Sequence, residues 1–105
     1  MNDPIIILTT VSSKKEAEII GSKLINKKLA ACVNIIPNIK SIYYWEGKIN
    51  KDSEYLLIIK TVKRAEEDVF ENIRKLHSYD TPEMISIPIT GGEKNYLNWL
   101  SKSVA

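Results

Sequence analysis

The segment LHSYDTPE (76–83) holds the residue types best suited to chemistry in this sequence. It contains His77, the only histidine among the 105 residues, followed by Tyr79, Asp80 and Glu83. An imidazole with carboxylates at short range serves as a metal site, as an acid–base pair, or as a hydrogen-bonded turn. His77 also stands at the end of a predicted helix, where an imidazolium interacts with the last carbonyls. The segment alone leaves these interpretations open.

Cys32 is the second candidate ligand. It is the only cysteine, which excludes an intrachain disulfide and any C-x-x-C motif. It lies in the apolar run LAACVNII (29–36), where a thiol is typical of a small buried hydrophobe. As a metal ligand it needs partners from elsewhere in the chain, and the soft ligands that copper prefers are scarce.

The aromatic run at 43–45 adds a third feature. Tyr43 and Trp45 point to one face of a predicted strand, and Tyr44 points to the other. One of the two sets therefore lies at a surface or an interface between subunits. Glu54 and Lys60 have an even separation and share one side of the next strand, which is typical either of a solvated face or of a polar pocket.

Catalytic motifs are absent from the sequence. It contains no G-x-S-x-G, no Walker loop and no H-E-x-x-H, and TGGE (90–93) is too short for a phosphate loop. Gly91 and Gly92 are interpreted as a turn that opens the last helix. An enzyme using His77 and Glu83 as acid and base is the weakest hypothesis, and we expect a protein that is not an enzyme.

Composition limits the partners. The net charge is +2, and the 15 basic and 13 acidic residues are mixed along the chain, so we expect no nucleic-acid partner. No apolar run approaches the ~18 residues of a membrane span, and the Met1 end lacks a basic segment followed by an apolar stretch. We therefore expect a cytoplasmic protein with no membrane contact.

The hydrophobic pattern predicts five extended segments and three helices. Segment 4–11 reads as a central strand buried on both faces. Ser13 and Glu16 form a capping box that starts the first helix, Pro37 predicts a bulge or a bend, and 46–53 reads as a hairpin loop. The predicted strands are 4–11, 29–36, 40–47, 54–62 and 84–89; the predicted helices are 13–27, 65–76 and a short one carrying Tyr96, Leu97, Trp99 and Leu100.

The order of these elements predicts the fold class. Because 29–36 and 40–47 form one interrupted strand, the chain reads β-α-β-β-α-β-α. Two right-handed crossovers around a hairpin give an α+β, ferredoxin-like split β-α-β sandwich in a single domain over 1–105. Both main helices cover one sheet face. The other face keeps apolar side chains that nothing in one subunit covers, which indicates an oligomer.

Four segments together resemble a known family. KLAACVNIIPNIKSIYYWEGKI, EYLLIIKT, LHSYDTPEMISIPI and YLNWL are similar to the CutA divalent-cation tolerance proteins, from about Leu8 to Leu100. The resemblance implies a homotrimer with a PII-like assembly and a non-enzymatic role in the response to metal ions. It also implies small-molecule or metal binding, with copper as the metal proposed in the family, at clefts between subunits.

The resemblance also implies site residues. His77 and Cys32 are the candidate metal ligands, although the single cysteine supplies a soft-metal site poorly. An alternative is a PII-like sensor whose cleft takes an anionic metabolite contacted by Lys60. The expected ligand cleft comprises the other motif positions, which are Tyr43, Trp45, Glu54, Lys60, Tyr79, Glu83, Tyr96 and Trp99.

Overall fold

The protein folds as an antiparallel sheet whose two longer helices lie on one side. The computed structural model describes residues 3–105; the first two residues of the predicted domain lie outside this description. The strands are β1 (Pro4–Val11), β2 (Cys32–Trp45), β3 (Lys48–Val62) and β4 (Ile85–Pro88). The helices are α1 (Lys14–Asn26), α2 (Glu66–Leu76) and α3 (Lys94–Ser103), with a 3₁₀ turn at Lys63–Ala65. The strand order β2-β3-β1-β4 confirms the predicted α+β, ferredoxin-like class.

Helix α1 starts where the capping box places it, although only half of the box forms. The Ser13 hydroxyl accepts a hydrogen bond from the Glu16 amide at 3.1 Å. The Glu16 carboxylate does not return to the Ser13 amide. It accepts instead from the amide and hydroxyl of Ser78, at 2.7 and 3.1 Å. Glu16 thus connects the start of α1 to the segment that follows α2.

Strand β1 is central, as predicted, but the prediction that it is buried on both faces is wrong. Burial alternates along it: Ile5, Ile7 and Val11 are buried under the helices, whereas Ile6 and Leu8 are half-buried. The reason is that α1 and α2 both pack on the same face. Its apolar run therefore faces a closed core on one side and an uncovered surface on the other.

We call this second surface the open face. The strand register places on it the residues that alternate with the core positions. Many are apolar, and Ile36, Ile85 and Ile87 are exposed. The uncovered apolar face expected from the sequence is therefore present in this chain. Its residues are Ile6, Leu8 and Thr10 on β1, Cys32, Asn34 and Ile36 on β2, Leu56, Ile58 and Lys60 on β3, and Ile85 and Ile87 on β4.

Strands β2 and β3 form a long hairpin whose loop is much shorter than the predicted 46–53. Only Glu46 and Gly47 form the turn, both with positive φ (52° and 77°), as a two-residue hairpin turn of the I′ type requires. Asn50, which the sequence suggested as a loop residue, lies in β3 and donates to the carbonyls of Trp45 and Lys48. The Asn50 side chain therefore stabilises the turn although the residue itself lies in the strand.

The register of the hairpin changes between Ile36 and Ile39, which confirms the bulge predicted at Pro37. At the other edge, β4 pairs only with β1 and ends at Pro88, as expected for a proline in a short edge strand. Gly91 and Gly92 precede α3, whose first amides are capped by Glu93. Its carboxylate accepts from Asn95 and Tyr96, which lowers the pKa of Glu93.

Candidate ligand site on the open face

His77 lies where α2 ends, but its ring does not bond to the carbonyls of that helix. The backbone amide of His77 caps α2 by donating to the Ile73 carbonyl at 2.8 Å. The imidazole is turned toward the end of β1, and its Nε2 lies 2.7 Å from the Thr10 carbonyl. The side chain is fully buried, with 0% exposure. His77 therefore joins the end of α2 to the end of β1.

The hydrogen bonds indicate the tautomer of this ring. Because the Thr10 carbonyl can only accept, Nε2 carries the proton and donates. Nδ1 accepts from the Tyr79 amide at 3.1 Å, so the two bonds fit the tautomer with its proton on Nε2. Glu16 Oε2 lies 3.4 Å from Nδ1 and accepts from the Ser78 amide. Both ring nitrogens are thus engaged with the protein.

Tyr79 carries these contacts across to the open face. Its ring packs against His77, with centroids 4.7 Å apart, and its hydroxyl donates to Glu54 Oε2 at 2.7 Å. Burial of the phenol raises the pKa of Tyr79 above its ordinary value of 10.0, and the bond to Glu54 raises it further. The hydroxyl therefore remains a protonated donor at neutral pH.

A cleft of about 910 Å³ opens beside this pair. We call it the acidic cleft, because four carboxylates line it and no lysine or arginine does. Thr10, Ser41 and Thr81 add polar residues to the lining. The carboxylates are Asp52, Glu54, Asp80 and Glu83, and the aromatic rings are Tyr43, Trp45 and Tyr79.

Glu54 is the most constrained of these carboxylates. Its residue is only 7% exposed, and the one hydrogen bond it receives within residues 3–105 comes from Tyr79. It forms no salt bridge to any lysine, arginine or histidine in that range. Nearby, the Tyr43 hydroxyl donates to Asp52, and this bond is the main cause of the raised pKa of Tyr43. A buried carboxylate without a positive partner is unfavourable, so the site suits a cation.

Lys60, Tyr96 and Trp99 lie at the other end of the open face. The Lys60 ammonium is 5.8 Å from the centroid of the Tyr96 ring, whose own centroid is 5.5 Å from that of Trp99. Cys32 stands directly opposite Lys60 in the β2–β3 pair. The eight predicted cleft residues are therefore divided: five line the acidic cleft and these three form a separate group, which we call the Lys60 group.

The two candidate metal ligands are also separated. Cys32 lies in the same row as Lys60 and Ile6, whereas His77 contacts Thr10, four residues further along β1. Four residues of strand span about 13 Å. Within residues 3–105, no group of three or more histidine, cysteine, aspartate or glutamate side chains is arranged to hold a metal ion.

Two groups of site residues escaped the sequence reasoning. Asp52 shares the face of Glu54 at a spacing of two, and it would have been found had β3 been extended back through the predicted loop. Glu16 and Ser78 meet across 62 positions of sequence, and no local pattern indicates such a contact. The residues therefore define an α+β protein with ferredoxin-like topology and an acidic cleft on its open face.

The comparisons with known proteins agree with this class. Residues 5–103 match the family described as CutA1 divalent ion tolerance protein. The divalent-cation tolerance protein CutA of Thermus thermophilus is 41% identical over 98 residues, covering 93% of this chain and 95% of that protein. The chain belongs to the CutA1 family.

Two plant proteins add to the comparison. The chloroplastic protein CutA of Arabidopsis thaliana is 46% identical over 99 residues, covering 94% of this chain. The chain spans only 54% of that relative's own length. The crystal structure of CutA1 from Oryza sativa superposes with a TM-score of 0.97 at 43% identity, covering 99% of this chain and 95% of that one.

No helix in residues 3–105 is long and apolar enough to cross a membrane.

Proposed function

We propose that the protein acts in the response to divalent metal ions as a homotrimer whose acidic clefts bind a cation. The observation that carries the cation-binding part is Glu54, a buried carboxylate at the cleft wall with no positive partner among the described residues. Membership of the CutA1 family supports the connection to divalent ions. The proposed compartment is the cytoplasm.

The homotrimer is supported by the surfaces that one subunit leaves uncovered. The open face carries apolar side chains, and the hairpin extends beyond the helices with Tyr44 74% and Ile49 67% exposed. Apolar surfaces of this kind are typical of contacts between subunits. A PII-like arrangement around a three-fold axis would cover the open faces and place each acidic cleft next to a second subunit.

The metal site needs that second subunit. Because no described group of three ligands converges within one chain, a divalent ion at Glu54 would take its remaining ligands from a neighbour or from water. Copper is the metal suggested by the family resemblance, and zinc is the natural comparison. The direct ligation of a metal by His77 or Cys32 stays an untested prediction, and for His77 the alternative is a structural role.

Calorimetric titration with copper and with zinc tests the site, together with light scattering for the oligomer. We expect three equivalent sites per trimer and a loss of about tenfold or more in affinity for Glu54→Gln. Glu67→Gln is the matched control, because Glu67 is exposed on α2. Identical isotherms for the parent and Glu54→Gln would remove the acidic cleft from metal binding, and a monomeric mass would refute the trimer.

A PII-like sensor of an anionic metabolite is the second candidate, and the Lys60 group favours it. Lys60 forms no salt bridge within residues 3–105, and the Tyr96 and Trp99 rings beside it are 42% and 48% exposed. An anion with a flat body suits such a group. Thermal-shift screening of anionic metabolites should then show a stabilisation that Lys60→Ala abolishes; the absence of any shift would eliminate this candidate.

A further inference from the structure

We propose that His77 is a positioning residue, a neutral imidazole that fixes the Tyr79 hydroxyl on Glu54 and so shapes the acidic cleft without binding the ligand itself. The proposal deepens the proposed function, and it rests on the acidic cleft being the ligand site. It starts from a simple observation. The only histidine in the chain has both nitrogens bonded to main-chain atoms of two different segments.

The two bonds of the ring require a specific tautomer. The bond to Thr10 needs a proton on Nε2, and the bond from the Tyr79 amide needs a lone pair on Nδ1. A proton on Nδ1 would oppose the Tyr79 N–H, and a metal on either nitrogen would replace one of the two bonds. The ring is also fully buried, so an ion would have to enter the packed junction between β1 and α2.

The position of Tyr79 follows from this arrangement. Its backbone is held by His77 Nδ1, its ring packs on the imidazole, and its hydroxyl then reaches Glu54 Oε2 across the end of β1. Thr10, which accepts from the ring, also lines the acidic cleft. Removing the imidazole therefore frees Tyr79 at both its amide and its ring, and leaves Glu54 without its donor.

Glu16, whose Oε2 lies 3.4 Å from His77 Nδ1, provides a second anchor for the same segment. Its carboxylate accepts from the amide and hydroxyl of Ser78, the residue between His77 and Tyr79. The amides of Ser78 and Tyr79 are therefore held by two different side chains. This allows the contribution of His77 to be measured at Tyr79 while Ser78 reports on the anchor to α1.

Hydrogen exchange measured by NMR on the 105-residue chain tests the proposal without any ligand. In His77→Ala we expect roughly tenfold faster exchange of the Tyr79 amide, while the Ile59 amide in the central strand changes only with global stability. In His77→Asn, whose amide oxygen can replace the Nδ1 acceptor, protection of Tyr79 should be restored. Lys75→Ala is the control variant, because Lys75 is exposed on α2.

The imidazole resonances provide a second measurement that does not require a variant to fold. The ¹⁵N shifts of His77 in the parent protein should report the neutral form with the proton on Nε2, and the addition of zinc should leave that pattern in place. Unchanged Tyr79 exchange in His77→Ala, a proton on Nδ1, or zinc-induced shifts typical of a ligated ring would each overturn the proposal. Failure of the calorimetric titrations alone would count only against metal binding at the cleft.

Discussion

The two faces of the sheet differ in what completes them. On the covered face, Ile7, Leu57 and Ile59 are fully buried against the helices of the same chain. One residue further along the same strands, Leu8 and Ile58 are only half-buried on the open face. The strands are similarly apolar on both faces. The difference in burial therefore comes from the helices that pack on one face and not from the side chains of the strands. The covered face is completed by helices of the same chain, and the open face is left largely uncovered within residues 3–105.

Polar groups show the same division. On the covered face the buried hydroxyl of Thr61 donates to the Leu29 carbonyl at 2.6 Å. Within residues 3–105, Thr9 Oγ1 is the one buried side-chain oxygen or nitrogen that lacks a partner. On the open face, Glu54 and Lys60 carry opposite charges at opposite ends and have no salt bridge among the described residues. The covered face therefore satisfies its polar groups almost completely, and the open face does not.

The largest effect should separate Ile59→Ala from Ile58→Ala. The two positions are adjacent, carry the same side chain and lie on opposite faces. Ile59→Ala leaves a cavity in a fully buried site and should lower the free energy of unfolding by about 2–5 kcal/mol. Ile58→Ala should cost about 1 kcal/mol in the isolated subunit, because its side chain is only partly buried there. Urea unfolding measures both values.

Measuring the same two variants at several protein concentrations makes this comparison more specific. If the open faces pack in a trimer, the cost of Ile58→Ala should grow at concentrations where the parent is assembled, whereas that of Ile59→Ala should stay nearly constant. Equal costs for the two variants at every concentration would contradict the distinction between the faces.

The next effect concerns close packing on the covered face. A Cβ added at Gly21 in α1 would lie 3.3 Å from the Val33 Cγ1 of β2, so there is no room for a branched side chain without movement of the helix. Gly21→Val should therefore lower the free energy of unfolding by about 1–3 kcal/mol. Ser22→Val, at the exposed neighbouring position, controls for helix propensity. Urea unfolding measures both variants. An equal loss in the free energy of unfolding would show that close packing of Gly21 against Val33 is not the cause.

A smaller, pH-dependent effect on the free energy of unfolding should come from Glu66, which contacts the edge strand of the sheet. Glu66 at the start of α2 accepts from Lys63 and from Ser86 of β4, and these bonds lower its pKa below the ordinary 4.5. Because the folded-state pKa is the lower one, the stability gained is complete above pH 4.5 and is lost as the pH falls through the folded value. Urea midpoints of the parent and Glu66→Gln should differ at pH 7 and converge in acid. A difference that persists at low pH would contradict this origin.

The sequence predicted the elements better than their limits. Helix α1 and the bulge at Pro37 follow from local chemistry, which the capping hydroxyl of Ser13 and the missing amide of proline supply directly. The hairpin loop was predicted six residues too long, because Asn50 and Asp52 are typical of turns and only the register shows that they pair with β2. The burial of β1 was misjudged because an apolar run does not tell whether its second face is covered by the same chain.

The sequence identified which residues belong to the candidate site, but it did not predict which of them lie together. The aromatic and acidic motif positions were found, yet the fold places Lys60 and Tyr96 far from Glu54 along the open face. The hydrogen bonds of His77 depend on Thr10, which is 67 positions away, and on the backbone of its own loop. Such contacts follow from tertiary packing, and no spacing in the sequence encodes them.

The smallest effect concerns the Lys60 end of the open face. The ammonium of Lys60 lies over the ring of Tyr96, an interaction worth about 0.5–1 kcal/mol at a partly exposed site. Lys60→Gln should therefore lower the free energy of unfolding by no more than this amount. A double-mutant cycle with Tyr96→Leu isolates the pair, because each single change removes the same contact.

Lys60→Gln also tests whether Lys60 pairs with a negative charge that lies outside its own chain. If a carboxylate of a neighbouring subunit or an anion pairs with Lys60 in the assembled protein, its loss should cost more in the oligomer than the cycle assigns to Tyr96. The excess should disappear when Ile58→Lys, which places a charge in the apolar centre of the open face, prevents assembly. An excess that survives dissociation would mean that the pairing partner lies within the same chain, and the contrast between the two faces would then not extend to this charge.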